Sequence, residues 1–149
     1  MNKFNVDERI AEYEGFINNV LKEDLRQLEI QLQNINSEIS DLIQQKHSLK
    51  VLTDEKLHPN GFKSQVNLGC EFYMEAAVTD TSKLLMDIGL NHFLEFTVSE
   101  ANKYIDARIK AYEIKAEEIR NKSVQTKAHI KLMLFGVGEL KNTKDSKKS

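Results

Sequence analysis

At 149 residues the chain suits one domain of ordinary size, but 30% charged and 7% aromatic side chains and no Trp favour an exposed helical protein over a dense globule around a deep active site. Its net charge of −2 argues against the concentrated basic surface of a dedicated nucleic-acid binder, and its single cysteine excludes an intramolecular disulfide. No run approaches the ~20 apolar residues of a membrane helix and MNKFNVDERI has no apolar signal core, so a soluble protein of a reducing, intracellular compartment is expected.

The first predicted element is a helix over residues 7–56. Its apolar residues fall at Ile10, Tyr13, Ile17, Leu21, Leu25, Leu28, Leu32, Ile35, Ile39, Leu42 and Leu49, with Lys46 taking one seam position. This is a heptad stripe from Leu28 onward, and the consecutive four-residue steps from Tyr13 to Leu25 read as a stutter that relaxes the supercoil. A helix of that length extends roughly 75 Å, far more than a compact domain needs. His58-Pro59-Asn60-Gly61 ends it, since proline lacks a donor and Asn-Gly favours turns.

Residues 62–98 carry a repeat. VNLGCEFYMEAAV (66–78) returns twenty residues on as MDIGLNHFLEFTV (86–98), with Gly69 answered by Gly89, Tyr73 by Phe93, Met74 by Leu94 and Glu75 by Glu95. Apolar and polar residues alternate as strands require, so Phe72, Met74, Ala76 and Val78 are expected on a core face, as are Leu94, Phe96 and Val98. Each glycine is expected to supply the positive φ of a tight reversal, giving two β-hairpins joined by the polar link Thr79-Asp80-Thr81-Ser82. Four short strands leave open edges, which points to oligomerisation through the hairpins. The candidate assembly residues are Val66, Leu68, Gly69, Tyr73, Met74, Ile88, Gly89, Phe93, Leu94 and Phe96.

Thr97-Val98-Ser99-Glu100 has capping-box form and opens a second helix over residues 99–141. Its seam runs through Ala101, Ile105, Ile109, Tyr112, Ala116, Ile119, Ser123, Thr126, Ile130, Met133, Val137 and Leu140. Residues 142–149 read as a disordered polar tail. Residues 1–57 hold seven basic against eleven acidic side chains, whereas residues 99–149 hold twelve basic against seven acidic ones. That complementarity, with a short insert between helices of similar length, predicts an antiparallel coiled coil. The fold class expected is mainly α with a small β part, in one domain over residues 1–141.

Candidate chemistry is sparse. Cys70 stands beside a turn glycine with no neighbouring base, and His47, His58, His92 and His129 lack the paired spacing of a zinc site. No phosphate-binding loop or nucleophile elbow is present, so no enzyme, metal or cofactor is expected. Leu132 and Phe135 lie about 140 to 200° round the helix from the seam residue Ile130, and Phe16 and Val20 broaden the other helix near the same end. These four are candidate contacts for the apolar segments of unfolded chains, against the simpler reading of local packing.

A long helix, hairpins turning at Leu68-Gly69 and Ile88-Gly89, the linker Thr79-Asp80-Thr81 and Glu100-Ala101 opening the return helix together resemble the alpha class of prefoldin subunits, from about residue 8 to residue 141. Val66-Asn67-Leu68-Gly69-Cys70, Asp80-Thr81-Ser82, Phe93-Leu94-Glu95 and Lys127-Ala128-His129-Ile130 are similar to a prefoldin-like subgroup within it. The second turn departs from the family's Gly-x-Gly, having Gly89-Leu90-Asn91. The resemblance implies a heterohexamer with beta-type prefoldin subunits and a second alpha-type subunit. Such an assembly holds non-native clients without ATP and passes them to a chaperonin. For the subgroup it implies association with RuvB-like ATPases and transcription factors, in the cytoplasm and the nucleus, with no direct nucleic-acid or membrane contact. The alternative is a coiled-coil scaffold or transcriptional cofactor that binds folded partners.

Overall fold

A computed structural model of the chain describes residues 3–146. Helix α1 (Lys3–Phe16) passes through a π-helical turn (Ile17–Leu21) into α2 (Lys22–Leu52). Strands β1 (Phe62–Gly69), β2 (Phe72–Val78), β3 (Lys83–Gly89) and β4 (His92–Thr97) follow, and α3 (Val98–Ser146) closes the chain. The residues divide into two compact units, one of residues 1–37 and 114–149 and one of residues 38–113.

In the first unit, a cluster of Ile10, Ile17, Leu21 and Val137 is flanked by Val6, Ile130, Met133 and Leu140. The α1 to α2 strip and α3 run antiparallel there. Lys144 pairs with Asp7, Lys141 with Glu14 at 2.6 Å and Lys127 with Glu29 at 3.6 Å, so partner numbers rise as the others fall. Each joins the acidic strip to the basic one, as the charge asymmetry anticipates. These exposed pairs orient the helices more than they stabilise them.

The π turn sits where the stutter was read. Three successive four-residue steps carry an α-helical stripe about 120° round the axis, and a wider turn takes up that drift. Ile17 is thereby only 1% exposed and Leu21 stays buried, while Tyr13 turns outward at 38%. Tyr13 is the one seam position of this helix that the structure leaves exposed.

In the second unit Leu42, Ala101 and Ile105 are buried, and Lys46 reaches Asp106 at 2.5 Å from its seam position. α2 ends at Leu52 rather than at residue 56. The Asp54 carboxylate accepts the Lys56 N–H at 2.9 Å, offering the backbone a turn in place of another helical bond before Pro59. The strands form two separate antiparallel ribbons, β1 with β2 and β3 with β4.

At the start of α3, Glu100 Oε2 accepts the Thr97 N–H at 2.9 Å and Thr97 Oγ1 accepts the Glu100 N–H at 3.3 Å, which is the reciprocal capping box. Thr97→Ala is expected to cost about 1 kcal/mol in urea unfolding. A loss under a few tenths would mean that the cap is idle.

The far end of α3 corrects the expected tail. The helix continues through residues 142–146, helped by Lys144 reaching Asp7, and residues 147–149 lie outside the described residues. Gly136 and Gly138 lower helix propensity there without interrupting it. Among the described residues no helix is long and apolar enough to cross a membrane.

Candidate functional site

The two hairpins are built alike at twenty-residue spacing. Asn67 Oδ1 accepts the Gly69 N–H at 2.8 Å, and Asp87 Oδ1 accepts the Gly89 N–H at the same distance. Lys63 bonds Glu75 at 2.7 Å and Lys83 bonds Glu95 at 2.8 Å, each diagonally across its ribbon. Glu95 raises the pKa of Lys83. At the base of the second ribbon, hydrogen bonds from Thr97 hold the Glu100 carboxyl below its usual range, and Ser82 does the same for Asp80 in the linker.

Gly69 and Gly89 have φ of +95° and +101°, as expected, but they sit at register shifts just before the reversals. The turning pairs are Cys70-Glu71 and Leu90-Asn91, all four with φ between +49° and +63°. Positive φ at both central residues is the signature of a type I′ hairpin turn, here made mostly without the residues that favour it.

Pairing sets the faces. Val66 lies opposite Met74, Met86 opposite Leu94 and Leu84 opposite Phe96, while Tyr73 pairs with Asn67 and Phe93 with Asp87 on the reverse faces. Toward the bases Ala76, Val78, Leu84, Met86 and Phe96 are half-buried, and Phe96 stacks on Tyr104 with ring centroids 5.3 Å apart. Farther out, Val66, Leu68, Tyr73, Met74, Ile88, Phe93 and Leu94 are all exposed. Phe72 is 72% exposed. The face expected to be core is therefore bare within this chain over its outer half. Alternation identifies an amphipathic ribbon but not what covers it.

Residues missed from the candidate set, Phe72, Leu85 and Leu90, are among the most exposed apolar side chains of the hairpins. Phe72 carried the signal of alternation; Leu85 lies on the mixed face and Leu90 in a turn, where alternation says nothing.

Phe16, Val20, Leu132 and Phe135 all fall in the unit of residues 1–37 and 114–149, and all are exposed. Val20 is carried by the π turn, next to the buried Leu21. Leu132 and Phe135 are 69% and 68% exposed, on the side of α3 away from Ile130, Met133 and Val137. Leu134, exposed beside them, was not anticipated, nor was Val124. Among the described residues no three His, Cys, Asp or Glu side chains stand close enough to hold a metal ion.

Residues 21–143 match the family model of the prefoldin subunit. The chain is 32% identical over 137 residues to a protein UXT homolog of Nematostella vectensis, covering 92% of this chain and 86% of that protein. It is 32% identical over 133 residues to protein UXT of Homo sapiens, covering 89% and 83%. Among solved structures, it superposes on a chain of the filamentous PFD from Methanocaldococcus jannaschii with a TM-score of 0.66, covering 80% of this chain and 97% of that one. At 22% identity that likeness speaks for the fold. The helix, paired-hairpin and helix order, the repeated turn geometry and the match over most of the sequence agree, and the chain belongs to the prefoldin family as a UXT-like member.

Proposed function

We propose that this chain is a non-enzymatic subunit of a prefoldin or prefoldin-like heterohexamer, joined through its hairpins to beta-type subunits and a second alpha-type subunit. The assembly holds non-native proteins without ATP and passes them to a chaperonin or an assembly machinery. The observation that carries this reading is the pair of bare ribbons: Phe72, Tyr73, Met74, Phe93 and Leu94 stand exposed on strands with free edges. Each such side chain gains roughly 1.5–3 kcal/mol on burial, and isolated two-stranded ribbons are marginal in water. Other subunits supply the cover that this chain lacks.

The helices satisfy most of their seam internally, leaving Phe16, Val20, Leu132 and Phe135 outward-facing for transient apolar contacts with a client. Weak contacts repeated on several subunits add through effective concentration. Replacing Leu132 and Phe135 together by Ser is expected to reduce suppression of denatured-client aggregation several-fold while the mass of the assembled complex stays the same. Unchanged suppression contradicts the client-holding role. Retained binding of folded transcription factors with no preference for denatured chains would assign the helices to the scaffold alternative.

A further inference from the structure

Within the unit of residues 38–113, a groove of about 440 Å³ is lined by Leu84, Leu85, Met86, Asp87 and Gly89 of the second ribbon, Gln45 and Leu49 of α2, and Ile105 and Arg108 of α3. Side chains of a strand alternate between faces, so a groove touched by four consecutive residues of β3 runs along the strand's edge. That edge is unpaired, because β3 pairs only with β4, and no β4 residue lines the groove.

Arg108 stands at this groove in a prepared state. Its guanidinium carbon lies 5.9 Å from the ring centroids of both Tyr104 and Tyr112, and its Nη2 donates to the Tyr112 hydroxyl at 3.5 Å. Tyr104 is itself stacked on Phe96. Two aromatic rings restrict the guanidinium without neutralising it, and among the described residues no carboxylate lies within ion-pairing distance. Asp87 also lines the groove, but one of its oxygens accepts the Gly89 N–H in the turn. A half-buried arginine flanked by two rings and free of a carboxylate partner is suited to receive a carboxylate bidentately through its planar fork.

We infer that the β3 groove selects its partner by charge: it takes an extended segment of a neighbouring subunit that pairs with the β3 edge and sets an Asp or Glu against Arg108. This rests on the assembly reading above and adds the chemistry by which one subunit is preferred to another. Apolar contact with the half-buried Leu84 and Met86 supplies affinity to any strand, whereas the carboxylate discriminates.

The test uses the full chain co-expressed with beta-type and alpha-type prefoldin subunits. In the Arg108→Lys variant of the assembled complex, carbodiimide coupling should yield an amide between the side chain at position 108 and an Asp or Glu of another subunit, located by peptide mass spectrometry. An amide to Asp87 of the same chain alone, or none in a complex that forms normally, overturns the inference. As a second measurement, Arg108→Met should weaken assembly about 30-fold or more with unchanged helix content, as expected when one member of a desolvated charge pair is removed. A change under twofold overturns it as well. A wild-type chain that captures no other subunit instead removes the assembly reading, and this inference with it.

Discussion

Gly61→Ala is expected to destabilise the hairpin unit by about 2–5 kcal/mol, from left-handed strain together with overpacking. Gly61 precedes β1 with φ of +79°. A Cβ built there lies 1.8 Å from the Val78 carbonyl oxygen, 2.8 Å from its carbon and 2.9 Å from the Thr79 Cα, all backbone atoms that no rotamer change can move. Val78 is fixed by pairing with Phe62, so the clash is relieved only by parting β1 from β2 at their base. Gly69→Ala is the matched control. Its φ of +95° is equally unfavourable for alanine, but nothing lies within 4 Å of the added carbon. Only the conformational cost of roughly 1–2 kcal/mol remains there. Urea unfolding should show the Gly61 variant losing at least twice as much as the Gly69 variant, and equal losses would contradict the steric account.

The second large effect falls on assembly rather than on folding. Met74→Lys combined with Leu94→Lys should abolish incorporation into a prefoldin-type complex while the isolated chain keeps its helix content. Both side chains are exposed in this chain, so the substitutions cost its own fold little. In an interface each forfeits the burial gain and adds a charge whose desolvation costs several kcal/mol. The sum corresponds to a loss of at least about a thousandfold in affinity. Retention of the doubly substituted chain in the complex would place the interface elsewhere.

The helical seam was legible because heptad spacing is a local rule. Ile35, Leu42, Ile105, Ala116 and Val137 are buried where the stripe put them, and even the polar Ser123 is buried in its seam position. The stutter was visible too, although its resolution as a π turn depends on keeping Ile17 and Leu21 together against α3. The hairpins were legible from their repetition. The turning residues were less so, since nothing in Cys70-Glu71 favours left-handed backbone; register and the Asn67 side chain impose it. The persistence of α3 to Ser146 brings Lys144 to Asp7, a pairing distant in sequence that the composition of the tail conceals. The β3 groove combines three distant segments and has no signature in the linear sequence, whereas the Tyr104-Arg108-Tyr112 spacing at its wall is local to one helix.

Under the proposed function, the exposed hairpins are covered by other subunits. Native mass spectrometry of the wild-type chain, purified after co-expression with beta-type and alpha-type prefoldin subunits, tests it most directly. A hetero-oligomer of six subunits containing this chain is the predicted result, and a monomer or homodimer as the sole species carrying it would contradict the account.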